Sequence, residues 1–280
     1  MTSRALRGES KGIHMHLSAR KLFSSLVVAL AMSSISHAQE KIARTPNGKP
    51  DLNGIWQTMG SAHWNLEPHN AEAGPVVAMG ALGAITGGLG VVEDGRIPYT
   101  PAALEKRNQH KKDWLELDPL VACKLPGVPR ATYLPQPFQI VQEPNTMLIT
   151  YEFAGADRIV YFNRPGTEAP VDSWMGYNLG RWDGDTLVID VSAQMEDTWL
   201  DSAGNFHGPE MKVQERYTPK GANVLMYEAT ITDPDTFTKP WKISMPIYRR
   251  LDQNMQLLDF KCVEFVEELL YGKYRKGVMK

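Results

Sequence analysis

From about residue 131 onward the chain runs at a period of two. Short segments alternate apolar and polar residues, and turn signatures separate them. Strands are expected near 138–142, 147–153, 158–163, 176–182, 186–193, 211–218, 223–232, 241–249 and 256–263. The connections Glu143–Asn145, Ala154–Asp157, Asp183–Asp185, Pro219–Ala222 and Asp252–Asn254 hold Gly, Pro, Asn and Asp, which supply turn geometry. Short strands at hairpin spacing, with no helix between them, read as an antiparallel meander. An open meander leaves unpaired edges, and closure removes them. The expected fold is mainly β: an antiparallel meander closed into a lipocalin-like β-barrel, behind an irregular, short-helical N-terminal region. A barrel of about eight to ten strands has a mouth wide enough for one small ligand. An open β-sandwich fits the same pattern and is the alternative.

The start of the chain points to export. Arg20 and Lys21 precede the apolar run Leu22–Met32, and Ser36-His37-Ala38 follows. A basic stretch, a short apolar core and small residues form a secretory signal peptide, with cleavage expected after Ala38. An uncleaved anchor is the alternative, and Met15 is a second candidate start. The expected division is 1–38 as signal peptide, 39–130 as the irregular region and 131–280 as the barrel, the last two packed as one unit. Removing the leader leaves 242 residues with 25 basic and 31 acidic side chains. That acidic surplus repels phosphate backbones, so no nucleic-acid partner is expected. The expected location is periplasmic or secreted.

Two cysteines remain, Cys123 and Cys262. In an oxidising compartment an even pair forms a disulfide; two buried thiols are the alternative. Residues 73–92 carry no charge and hold six glycines. A loop or lid over a pocket is expected there, because glycine raises the cost of ordering a helix. The alternative is a membrane segment using Gly83-x-x-x-Gly87. No stable membrane span is expected, and no nucleotide-binding glycine pattern is present. Residues 100–118 read as a helix, capped by Thr100 with Pro101 at its first position. His110 lies on its charged face and is expected to be exposed.

Chemistry has few candidates. In Met211–Thr218, alternation places Met211, Val213, Glu215 and Tyr217 on one face. If that face is inward, Glu215 enters an apolar interior suited to proton transfer, or pairs there with an arginine. The loop before it carries His207, the one histidine of the strand-rich half. His207 is the first choice as general acid or base, with Asp197 or Asp201 as orienting partner. A metal set could be drawn from His207, Asp197, Asp201 and Glu215, but the spacing lacks a tight ligand pattern, so no metal and no cofactor are expected. Trp174, Tyr177, Arg181 and Tyr217 are candidate ligand contacts, offering flat apolar walls with polar handles. The same residues equally suit ordinary barrel packing.

Several segments together carry a resemblance. They are Arg44–Trp56, Gly90–Pro101, Cys123–Arg130, Pro137–Val141, Gly180–Val188 and Glu215–Thr218. The chain resembles a family of exported bacterial proteins marked by R-T-P-x-G-x-P-D-L-x-G-x-W, C-x-L-P-G-V-P-R and G-R-W-x-G-D-T-L-V. The resemblance implies export and one continuous unit, and it assigns no reaction. It also implies a histidine at the place of His207, after a glycine-containing turn.

The function expected from these residues is an exported barrel binding a small apolar molecule, aromatic or polycyclic. Acid–base chemistry without a cofactor (isomerase, lyase or hydrolase) is the first form of that expectation. A non-catalytic periplasmic carrier is the second, and an envelope-associated structural protein the third.

Overall fold

The computed structural model describes residues 40–274. The expected signal peptide, 1–38, lies outside the described residues. Nine strands close into a barrel in the order β1 (Gly54–Thr58), β2 (Phe138–Gln142), β3 (Thr146–Tyr151), β4 (Asp157–Phe162), β5 (Tyr177–Asp183), β6 (Thr186–Ser192), β7 (Lys212–Gly221), β8 (Val224–Thr232) and β9 (Trp241–Arg249). The α-helices among the described residues are α1 (Pro101–Lys112), α2 (Trp114–Leu117), α3 (Arg130–Tyr133) and α4 (Val266–Tyr271).

The alternation does what period two demands. β7 sends Val213, Glu215 and Tyr217 inward, and β8 sends Leu225, Tyr227, Ala229 and Ile231. β9 adds Trp241, Ile243, Met245 and Ile247. These side chains fill the barrel, which is a packed core at the level of Tyr217 and Tyr227, whose rings lie 5.0 Å apart.

Three strand expectations are corrected. The expected ninth strand at 256–263 has no regular structure. The barrel is closed instead by β1, from the irregular region, which pairs with both β2 and β9. Its Trp56 and Thr58 face inward, whereas Leu258 and Val263 of 256–263 are exposed. The meander is also not wholly antiparallel: β4 and β5 are parallel. The long connection between Phe162 and Tyr177, with Pro165 and Pro170, returns the chain to the starting end, as a parallel pair requires.

The helix expected at 100–118 is two helices, α1 and α2, interrupted at Asp113. Thr100 caps α1 through the Ala103 backbone N–H, and Pro101 opens it. His110 is half-buried rather than exposed, because its ring stacks on Trp199 at 4.6 Å. The glycine-rich stretch is a loop with a 3-10 turn at Val77–Gly83, pinned to the chain before it by the bridges His69↔Gly88 and Glu72↔Ile85. Among the described residues no helix is long and apolar enough to cross a membrane.

Cys123 and Cys262 form a disulfide. It ties the chain after α2 to the irregular segment after β9, since Cys262 lies on no strand. α3 packs with all four residues buried, and the Thr132 carbonyl accepts from Thr58 of β1. Gln194 holds the segment before α3 by exchanging two hydrogen bonds with the Val128 backbone. Gly127 is left-handed, and a Cβ there would stand 2.8 Å from Thr198 Oγ1.

Candidate functional site

Three places gather chemistry, and the sequence-derived candidates are spread across them. The first lies inside the barrel. Arg158 of β4 and Glu215 of β7 form a two-pronged ion pair at 2.5 and 3.1 Å, both side chains wholly buried. Tyr217 and Tyr227 donate their hydroxyls to Glu215 Oε1 at 3.0 and 2.8 Å. Arg158 also donates to Asn178 and Tyr217. Burial raises the Tyr217 and Tyr227 hydroxyl pKa values well above the usual range, and the Glu215 charge adds to it. Glu215 does point inward, and its partners there are an arginine and two tyrosines. A carboxylate clamped in this way is a core ion pair, and its surroundings are filled by side chains.

The second place is a polar pocket of about 590 Å³ beside α1 and the loop before β7. His207 lines it but is only 3 % exposed. Its Nδ1 lies 2.8 Å from the Gly208 carbonyl, which can only accept, so Nδ1 carries the proton. Nε2 therefore accepts from the Thr198 hydroxyl at 2.6 Å. Burial lowers the His207 pKa, against the opposing pull of the Gly208 carbonyl and the Asp233 charge. Asp197 lies at the rim and pairs with Lys124 at 2.8 Å. Asp201 is fully buried elsewhere in the loop, accepting from the backbone of Leu66, Ala203 and Asn205 and from the Asn205 side chain. Burial raises its pKa to about 6. The hydrogen bonds of His207 thus reach neither Asp197, Asp201 nor Glu215. Among the described residues no His, Cys, Asp and Glu group is arranged to hold a metal ion.

The candidate ligand contacts are separate from one another. Tyr217 is in the barrel network. Tyr177 bonds Thr167 at 3.1 Å, and Arg181 pairs with Asp190 on the barrel's outer face. Trp174 lies under Lys124, 5.7 Å from its ring.

The third place is a recess of about 430 Å³ that the sequence did not reveal. Its walls are aromatic. Trp64 meets the edge of Trp114 at 5.5 Å, and Phe153 packs with Phe260 at 4.8 Å. Leu120, Val121 and Val263 fill between them, with Cys262 at the wall. One end is polar, formed by His63, Asp118 and Ser202, and Lys261 also lines the recess, with its exposed ammonium paired to Asp259 at 3.0 Å. Behind it, Arg130 of α3 holds Asp118 by two bonds of 2.7 Å, with both side chains almost completely buried. Burial, with Arg130 adding to it, lowers the His63 pKa to about 4.

Each wall comes from a different stretch of chain: the loop after β1, α2, the turn after β3, the loop before β7 and the segment after β9. The disulfide brings the last of these home, and the Phe265 N–H donates to the Val121 carbonyl beside it. The expected disulfide was the one available signal, since joining 123 to 262 places Phe260 near Asp118.

No family model, curated protein or solved structure matches the chain, so the site rests on geometry alone.

Proposed function

We propose that this protein is an exported carrier of a small apolar, aromatic molecule, held in the recess between Trp64, Trp114, Phe153 and Phe260 rather than inside the barrel. The carrying observation is the recess itself: about 430 Å³, aromatic walls and one polar end, the usual build of a small-molecule site. The disulfide and the leader-like start of the sequence support export. The family resemblance belongs to the same proposal.

The test follows the fluorescence of the uncharged, environment-sensitive probe N-phenyl-1-naphthylamine as it is added to the protein. Saturable binding that is lost in Trp114→Ala and kept in His207→Ala supports the recess. Equal binding by wild type and Trp114→Ala removes it.

A second reading, acid–base catalysis in the polar pocket, is favoured by one observation. His207 accepts the Thr198 hydroxyl at 2.6 Å while the Gly208 carbonyl fixes its tautomer, which is the arrangement of a base beside an activated hydroxyl. Native mass spectrometry of the exported protein tests it. A retained ligand converted by wild type and untouched by His207→Gln supports catalysis. A ligand returned unchanged by both supports the carrier.

A further inference from the structure

The hydrogen bonds at the polar end of the recess can be counted. Asp118 Oδ1 accepts from Arg130 Nη1 and from the Leu120 backbone N–H, at 2.7 and 3.1 Å. Asp118 Oδ2 accepts from Arg130 Nη2 and from Ser202 Oγ, at 2.7 and 3.1 Å. Each carboxylate oxygen thus has two donors, and the guanidinium matches its charge. Ser202 Oγ donates to Asp118 and accepts from Arg130 at 2.9 Å. A hydroxyl oxygen has two lone pairs, so one acceptor position of Ser202 is left. His63 completes the end: its low pKa leaves it uncharged at neutral pH, and its Nδ1, like Arg130 Nε behind it, is buried without a hydrogen-bond partner.

This end can take a donor, and its charges are matched: Asp118 by Arg130, and Lys261 of the recess lining by Asp259, out in solvent. A carboxylate would arrive beside Asp118 with the nearest guanidinium already engaged and a neutral histidine opposite. An ammonium would find the carboxylate saturated and Arg130 behind it. A pure hydrocarbon would leave the Ser202 position dry and unmatched, which costs affinity when polar groups are buried. An uncharged O–H matches the free acceptor position of Ser202 Oγ.

We infer that the recess selects an uncharged aromatic molecule bearing a hydroxyl, of the phenol or naphthol class, with the hydroxyl donating to Ser202 Oγ at the His63 end and the rings between the Trp64–Trp114 and Phe153–Phe260 pairs. This rests on the carrier reading above and adds the ligand class to it.

Isothermal titration of the oxidised protein with naphthalene, 2-naphthol and 2-naphthoate, matched in ring size, separates the two claims. The expected result is 2-naphthol binding roughly tenfold tighter than either of the others, the worth of one well-placed hydrogen bond. Ser202→Ala should bring 2-naphthol to within about twofold of naphthalene while leaving naphthalene unchanged. Because Ser202 also touches Asp118, His63→Phe serves as a second variant: it removes the polar character of that end and should likewise erase the preference for 2-naphthol. Equal affinity for all three compounds overturns the hydroxyl selection and leaves the recess as a binding site. Tighter binding of 2-naphthoate overturns the charge argument. Absence of binding by all three overturns the carrier reading with it.

Discussion

Among the described residues, two buried guanidinium–carboxylate pairs of nearly the same geometry stand in opposite surroundings. Arg158 and Glu215 sit inside the barrel, ringed by Tyr217, Tyr227 and Asn178. Arg130 and Asp118 sit behind the recess, where Asp118 and Ser202 line an open volume of about 430 Å³. α3 stands between them: its Arg130 serves the recess, while Thr132 lies 3.4 and 3.5 Å from the Tyr151 and Tyr217 hydroxyls of the barrel network. The difference is access. A sealed pair with every oxygen engaged organises a core, whereas a pair of the same chemistry at the edge of a cavity sets what the cavity accepts.

Breaking the sealed pair should have the largest effect. Glu215→Ala leaves a buried guanidinium without its counter-charge and should cost about 4–5 kcal/mol of unfolding free energy, read from urea denaturation. Replacing both partners, Arg158→Met with Glu215→Leu, should recover most of that loss. A single variant as stable as wild type would show that the pair is not structural.

Asp118→Ala should cost about 3–4 kcal/mol, since Arg130 is as fully buried as Arg158 and keeps only the Ser202 hydroxyl as a partner. It should also remove probe binding, which Arg158→Met with Glu215→Leu should preserve. Loss of binding in both variants would erase the functional contrast.

Removing the clamp separates the regions next. Cys123→Ser with Cys262→Ser should cost about 2–3 kcal/mol and weaken binding, since Phe260 and Val263 lose their tether. The barrel should keep its strand circular-dichroism signal. Unchanged binding would show that the wall stands without the disulfide.

The smallest net effect is in pH, where two groups near the recess oppose each other. The Asp201 pKa is raised to about 6. Its stabilising contribution is therefore full below its unfolded value and is lost as pH rises through about 6. The His63 pKa is lowered to about 4. Its contribution is present above the unfolded histidine value and is lost as pH falls through about 4. Each is worth up to roughly 3 kcal/mol, and across pH 4–6 they nearly cancel. Wild-type denaturation midpoints should stay almost level there. Asp201→Asn should make stability rise with pH over that window, and His63→Gln should make it fall. Parallel curves for the two variants would disprove the assignment.

Much of the fold was legible because period two survives in the sequence. Val213, Glu215 and Tyr217 share a face in any strand, so the inward direction of Glu215 followed from burial of its neighbours. Its partner did not follow. Arg158 lies on β4, which does not pair with β7, and the meeting depends on how the barrel closes. β1 was hidden because Gly54–Thr58 sits in a stretch dense with Pro, Gly and Asn. The parallel seam was hidden because a connection's length does not state which end it returns to. His207 was visible as a lone histidine, but its Thr198 partner was not, because that contact depends on the folding of the loop.

The sequence by itself determined eight of the nine strands, a mainly β class and the cysteine pair, because each rests on local periodicity or on a count of two. Only the tertiary structure decided which charged groups are sealed and which are reached. The recess takes its walls from five stretches of chain, and its polar end is a hydrogen-bond balance among His63, Asp118, Arg130 and Ser202. Such a balance has no local signature, since it exists only where closure of the barrel and the disulfide bring those stretches together.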